Sequence, residues 1–139
     1  MEIVITKKTD NDPKTGDFIN KEFTAYALQS GVELNFEEFC FVAEDNEKNI
    51  LGVITGRAYY NEVHIGDLII GEKFRKNGLG SALVSAVEKE YSGKGYDIIT
   101  LTTFGFQAPE FYPKLGYRIE FVREDKDPKL SKYFLSKEL

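Results

Sequence analysis

Hydrophobic and polar positions repeat with two different periods along this chain, and the changes of period mark out its elements. Met1–Thr6 alternates weakly and predicts an opening strand, followed by a polar loop over Lys7–Thr15 that carries Asp12-Pro13. From Asp17, the residues Ile19, Phe23, Tyr26 and Ala27 recur at helical spacing, and Gly31 is placed to end that helix. Phe39–Glu44 and Ile50–Tyr59 flank the turn sequence Asp45–Asn49 and predict a hairpin. Val63–Ile70 is a third, strongly apolar strand. Over Gly78–Tyr91 the period is helical again, with Leu79, Ala82, Leu83, Ala86 and Val87 on one face and Glu88, Lys89 and Glu90 towards solvent. Gly93 and Gly95 close that helix. Tyr96–Thr103 then predicts a strand, Pro109–Leu115 a short helix stopped by Gly116, and Tyr117–Val122 and Leu130–Leu135 two more strands. The order β-α-β-β-β-α-β-α-β-β predicts a mixed sheet with helices on both faces, an α/β or α+β fold.

Composition narrows this picture. At 139 residues, with no repeat or Pro/Gly-rich linker, the chain predicts one domain over 1–139. Its 18 basic and 23 acidic side chains leave a net charge of −5, which argues against wrapping nucleic acid and suits a small cationic or polar ligand. One cysteine (Cys40) excludes an intramolecular disulfide, and one cysteine with one histidine (His64) argues against a metal site. No apolar run approaches the ~20 residues that span a bilayer, and Met1-Glu2-Ile3 lacks the basic start of a signal peptide. The expectation is a cytoplasmic protein with no membrane partner. Without tryptophan, the 8 Tyr and 11 Phe must supply the large core and pocket groups.

The chemistry concentrates after the third strand. Leu68-Ile69-Ile70-Gly71 runs out through Arg75-Lys76-Asn77-Gly78-Leu79-Gly80-Ser81 into an amphipathic helix. A helix N-terminus leaves unpaired N–H groups and a partial positive charge, and glycines there let backbone approach a pyrophosphate closely. The dinucleotide fingerprint lacks its third glycine here, and no Gly-Lys-Ser/Thr end exists for a Walker loop. Taken alone, the same glycines also suit a plain tight strand–helix turn.

A second motif changes the balance. Arg75-x-x-Gly78-x-Gly80 after an apolar strand resembles motif A of the GNAT N-acetyltransferase superfamily. About thirty residues on, Gln107-Ala108-Pro109-Glu110-Phe111-Tyr112-Pro113-Lys114-Leu115-Gly116-Tyr117 resembles its motif B, from which Pro113 departs. The resemblance covers Phe39–Val122. It implies a GNAT-like, mostly antiparallel sheet whose central strands splay apart and hold acetyl-coenzyme A in the gap. The implied coenzyme contacts are the strand edge at Leu68, Ile69 and Ile70, the loop and helix start from Arg75, Lys76, Asn77 and Gly78 to Leu79, Gly80 and Ser81, and Gln107, Phe111 and Tyr112. A backbone N–H near Ile70 would polarise the thioester carbonyl.

Two catalytic side chains follow from the same resemblance. Tyr112 matches the tyrosine that protonates the departing thiolate: a phenol of pKa ~10 facing a thiol of pKa ~8.5. Packing of the short helix is its structural alternative. His64, eleven residues before Arg75, occupies the offset where histone-acetylating members carry a glutamate base. An imidazole of pKa ~6.5 is able to take the ammonium proton directly or through water. A satisfied polar group beside a strand is the plainer reading, and Asp67 and Glu62 are the nearest acidic substitutes. Strict alternation puts His64, Gly66, Leu68 and Ile70 on one face and Asp67 with Ile69 on the other.

On the acceptor side the resemblance points to Tyr26, Glu33 and Phe36, with Tyr59 and Phe104, an acidic and aromatic lining suited to a cationic amine. The leading expectation is transfer of acetyl to a primary amine of a small molecule by direct attack. A protein or peptide N-acetyltransferase and a non-catalytic acyl-coenzyme A sensor are the alternatives. The family's habits also suggest a homodimer.

Overall fold

A computed structural model describes every residue except Asn11, a position inside the expected loop over 7–15 that lies outside the described residues. Contacts separate two units, residues 1–34 and 35–139. In the first, residues 1–8 have no regular structure, so the expected opening strand over Met1–Thr6 is not formed. Weak alternation does not make a strand without a paired edge. Helix α1 spans Pro13–Gln29 and starts four residues ahead of the expected Asp17. Asp12 caps it, its carboxylate accepting from the Thr15 N–H at 2.7 Å, and Pro13 fills the first position, where a missing N–H is harmless. At the other end Val32 N–H reaches Ala27 C=O at 2.8 Å across Gly31, whose φ of +73° supplies the left-handed turn.

The second unit is built on a six-stranded sheet: β1 (Glu37–Glu44), β2 (Ile50–Tyr59), β3 (Glu62–Ile70), β4 (Ile98–Phe104), β5 (Arg118–Arg123) and β6 (Lys132–Glu138). The order is β1-β2-β3-β4-β6-β5, and only β3 and β4 run parallel. The β1–β2 hairpin closes where expected, because the Asp45 carboxylate accepts from the N–H groups of Glu47 and Asn49, both at 2.9 Å. One face of the sheet presents Phe39, Ile54, Ala58, Val63, Ile65, Ile99, Leu101 and Leu135 to the core. Helix α2 (Leu79–Tyr91) lies on that face and buries Leu83, Val84, Val87 and Tyr91. Its buried stripe is rotated from the expected one, since Ala82 is exposed and Val84 and Tyr91 replace it.

Two irregularities position the site. Thr55 pairs with Asp67 but Gly56 pairs with Ile65, so Gly66 is an extra, unpaired residue: a β-bulge in β3. The bulge inverts the alternation. Leu68 and Ile70 pack on the same core as Val63 and Ile65, whereas His64 shares the opposite face with Asp67 and Ile69. Strict alternation misplaces His64 relative to Leu68 for this reason. Beyond the bulge the parallel ladder also ends, with Glu62–Ile65 paired to Ile98–Leu101 and nothing further. The two central strands splay from there.

The short helix expected over Pro109–Leu115 is two 3-10 turns, Pro109–Phe111 and Pro113–Leu115, with Tyr112 at the joint. Pro113 has no N–H to continue a first turn into a second, so each proline starts a turn of its own.

Candidate active site at the splayed strands

The splay opens a cleft of about 450 Å³ lined by Leu68, Ile69, Leu101, Thr103, Gln107 and Tyr112 among others. Its β3 wall is a free backbone edge. Gly71 N–H donates to Leu51 C=O at 2.8 Å. Counting back along the two-residue period, Ile69 and Asp67 address β2, and the N–H and C=O of Leu68 and Ile70 turn into the gap. The Arg75 Nε–H donates to the Ile70 C=O at 3.0 Å and ties the following loop to the strand end. Gln107 holds its side-chain oxygen on the Phe104 N–H at 3.0 Å, which leaves its NH2 as the donor on the cleft side.

Arg75, Lys76, Asn77 and Gly78 are exposed, and Leu79, Gly80 and Ser81 form the half-buried first turn of α2. Gly78 takes φ +79° as N-cap and offers no side chain to the turn's N–H groups. Those donors suit an anion. Gly80 has a different neighbour: a Cβ there would lie 3.1 Å from the Phe111 ring. Phe111 therefore covers Gly80 and packs edge-on to Tyr112, ring centroids 5.0 Å apart. Tyr112 is buried at the cleft wall with its ring also against Tyr117, and burial alone pushes its hydroxyl pKa up to about 12. The phenol is protonated at neutral pH.

A second cleft, of about 530 Å³, is lined by Glu38, Cys40, Arg57, His64 and Asp67. The two clefts share Thr55, Gly66 and Asp67 and so meet at the bulge. Here His64 is half-buried, with Nδ1 at 2.8 Å from Thr100 Oγ1. The Thr100 hydroxyl donates to the Glu62 carboxylate, which also accepts from Tyr59 Oη–H at 3.3 Å. Burial, reinforced by the Arg57 charge, holds the His64 pKa below its ordinary value. The imidazole is neutral at pH 7.

Not every expected residue enters these clefts. Tyr59 sits beside the second one, under the Arg57 guanidinium 5.9 Å from its ring centroid, and uses its hydroxyl on Glu62. Phe104 packs against Phe106 and Lys132 at the end of β4, and Phe36 is exposed; neither lines either of these two clefts. Tyr26 and Glu33 belong to the first unit, both exposed. Arg57 and Thr100, by contrast, drew no attention in the sequence. Their signal is register: Glu38, Arg57, His64 and Thr100 form one row across the sheet. No helix among the described residues is long and apolar enough to cross a membrane.

Comparison with known proteins meets this geometry. Residues 6–117 match the acetyltransferase (GNAT) family. Blasticidin-S acetyltransferase of Streptomyces morookaense is 31% identical over 94 residues, 65% of this chain and 67% of its own. Among solved structures, an acetyltransferase from Bacillus cereus superposes with a TM-score of 0.78 at 34% identity, covering 96% of this chain and 98% of its own. An aminoglycoside 6'-N-acetyltransferase complexed with coenzyme A shares the fold at TM-score 0.63 and 20% identity, covering 98% and 97%.

Proposed function

The chain belongs to the acetyltransferase (GNAT) family of N-acetyltransferases, and on that footing we propose that it acetylates a primary amine of a small molecule by direct attack. One observation carries the reading: two clefts that meet at the Gly66 bulge, beside the free edge of β3. The coenzyme fits the first cleft by its donors. The uncapped first turn of α2, at Leu79, Gly80 and Ser81, would hold the pyrophosphate, with Arg75, Lys76 and Asn77 adding charge and donors. The edge at Leu68 and Ile70 would pair with the pantetheine arm, with Ile69 lining the cleft between them and Gln107, Phe111 and Tyr112 closing it in. When bound, acetyl-coenzyme A supplies the acetyl group as a thioester.

The chain's own residues then divide the work. His64, neutral and at the second cleft, takes the proton of the incoming ammonium. The N–H groups of Leu68 and Ile70 face the gap and stabilise negative charge developing on a carbonyl oxygen held there. Tyr112 keeps its proton and offers it to the departing sulfur. A pKa of about 12 is not a mismatch, because the burial that raises the phenol also raises a thiol in the same cleft. The blasticidin-S acetyltransferase relative supports a small-molecule acceptor. The family match runs through both units, which supports one catalytic domain.

Calorimetric titration with acetyl-coenzyme A, beside dephosphorylated pantetheine, tests the coenzyme half. Binding that requires the pyrophosphate is expected, and equal binding of both would remove the α2 terminus from the site. Turnover on a panel of small amines, set against N-terminal and lysine peptides, tests the acceptor half. Turnover on peptides alone would overturn it.

A further inference from the structure

We propose that Thr100 and Glu62 are positioning residues for His64, a carboxylate–hydroxyl–imidazole chain that fixes the Nδ1–H tautomer and turns the Nε2 lone pair to the acceptor-side cleft. The proposal rests on the reading of His64 as the group that takes the ammonium proton. A threonine hydroxyl has one proton, and a carboxylate only accepts. The Thr100 proton goes to Glu62 Oε2. The 2.8 Å contact between Thr100 Oγ1 and His64 Nδ1 is therefore an N–H donating to oxygen. Nε2 is left without a proton, the state a base requires. Imidazole without a partner in water favours the opposite tautomer, which would present an N–H to the ammonium instead of a lone pair.

The fold makes this chain where β3 and β4 are still paired. Glu62 and His64 stand two apart on one face of β3, and Thr100 is the register partner of His64 across the parallel ladder. That ladder ends one pair later, so the fixed imidazole stands at the edge of the splay. Glu62 Oε2 is anchored a second time by Tyr59 Oη–H and lies 3.9 Å from His64 Nδ1. Its charge favours the imidazolium once a proton has been taken at Nε2. That proton stays on Nε2 until it returns to solvent, and Thr100 and Glu62 exchange none. Other charges act on the same ring: Arg57 from β2 and Lys132 from β6 oppose protonation. Glu38 from β1 and Asp67 from β3 line the same cleft.

His64 is the only histidine, so long-range 1H–15N correlation of the full-length protein reads its tautomer without ambiguity. Above the pKa, the wild type is expected as Nδ1–H. Thr100→Val should shift it to Nε2–H and lower kcat by about tenfold or more, and Thr100→Ser should restore both. Glu62→Gln keeps an accepting oxygen, so it should keep the tautomer while moving the acidic limb of kcat/KM to lower pH. A wild-type Nε2–H tautomer would overturn the proposal, a result independent of whether any variant folds; so would an unchanged tautomer in Thr100→Val. A Thr100→Val switch beside a pH–rate profile untouched by His64→Gln upholds the chain and sinks the base reading, which separates the two.

Discussion

The two halves of β3 differ in what their backbones do. Glu62–Ile65 is hydrogen-bonded on both edges, to β2 and to β4, and its side chains alternate cleanly between core and opposite face. Asp67–Ile70 is paired with β2 alone, and its second edge carries no strand, only the Arg75 Nε–H on the Ile70 C=O. Between them stands Gly66, unpaired. The paired half aims a side chain, His64, through fixed neighbours. The open half presents main-chain donors that any residue carries. One strand thus separates a fixed side chain from an open backbone edge by a single extra residue.

The strongest way to break the comparison is at the proposed anion site beyond the open half. Gly80→Asp should weaken acetyl-coenzyme A by about 100-fold or more, since like charges brought together cost several kcal/mol. Gly80→Ala, which asks the Phe111 ring only to give slightly, should stay within about tenfold by calorimetry. Tyr112→Phe comes next: kcat should drop by about 100-fold with coenzyme affinity nearly unchanged. An unaltered kcat would reduce Tyr112 to a packing group.

The bulge itself is probed by its two glycines. A Cβ on Gly56 would lie 2.2 Å from His64 C=O and 2.4 Å from the Phe39 ring, whereas one on Gly66 meets nothing closer than 3.6 Å. Chemical denaturation should find Gly56→Ala destabilised by about 3 kcal/mol and Gly66→Ala by less than about 1 kcal/mol. Equal losses would contradict the described register. The smallest effect sharpens the paired half. Folding holds the His64 pKa below its unfolded value, so the unfolded chain binds more protons, and stability should fall as pH drops from about 6.5 through that lower value. Arg57→Gln removes part of the cause, and should narrow the window and move the acidic limb of kcat/KM upward.

What could be seen in the sequence was local. Asp45 and Asn49 announce their turn by side-chain chemistry, and Gly78 announces a left-handed entry to α2; both lie where expected. Gly66 carries no such mark. A glycine in an apolar run reads as one more strand residue, and alternation carried through it puts Leu68 on the wrong side of His64. The start of α1 was written in Asp12-Pro13 but resembles loop sequence until the cap is seen. Arg57 and Thr100 were invisible because register across strands is a property of the pairing and has no trace in either strand alone.

The Phe111 ring resting on Gly80 has a consequence for how such a chain can change. Two positions about thirty residues apart share one volume, so the size allowed at one depends on the size of the other. An alanine at position 80 asks the ring to give only slightly, whereas a much larger residue there needs position 111 to shrink first. Because Phe111 also packs edge-on to Tyr112, a change of volume at the first turn of α2 is passed through one ring to the wall of the cleft.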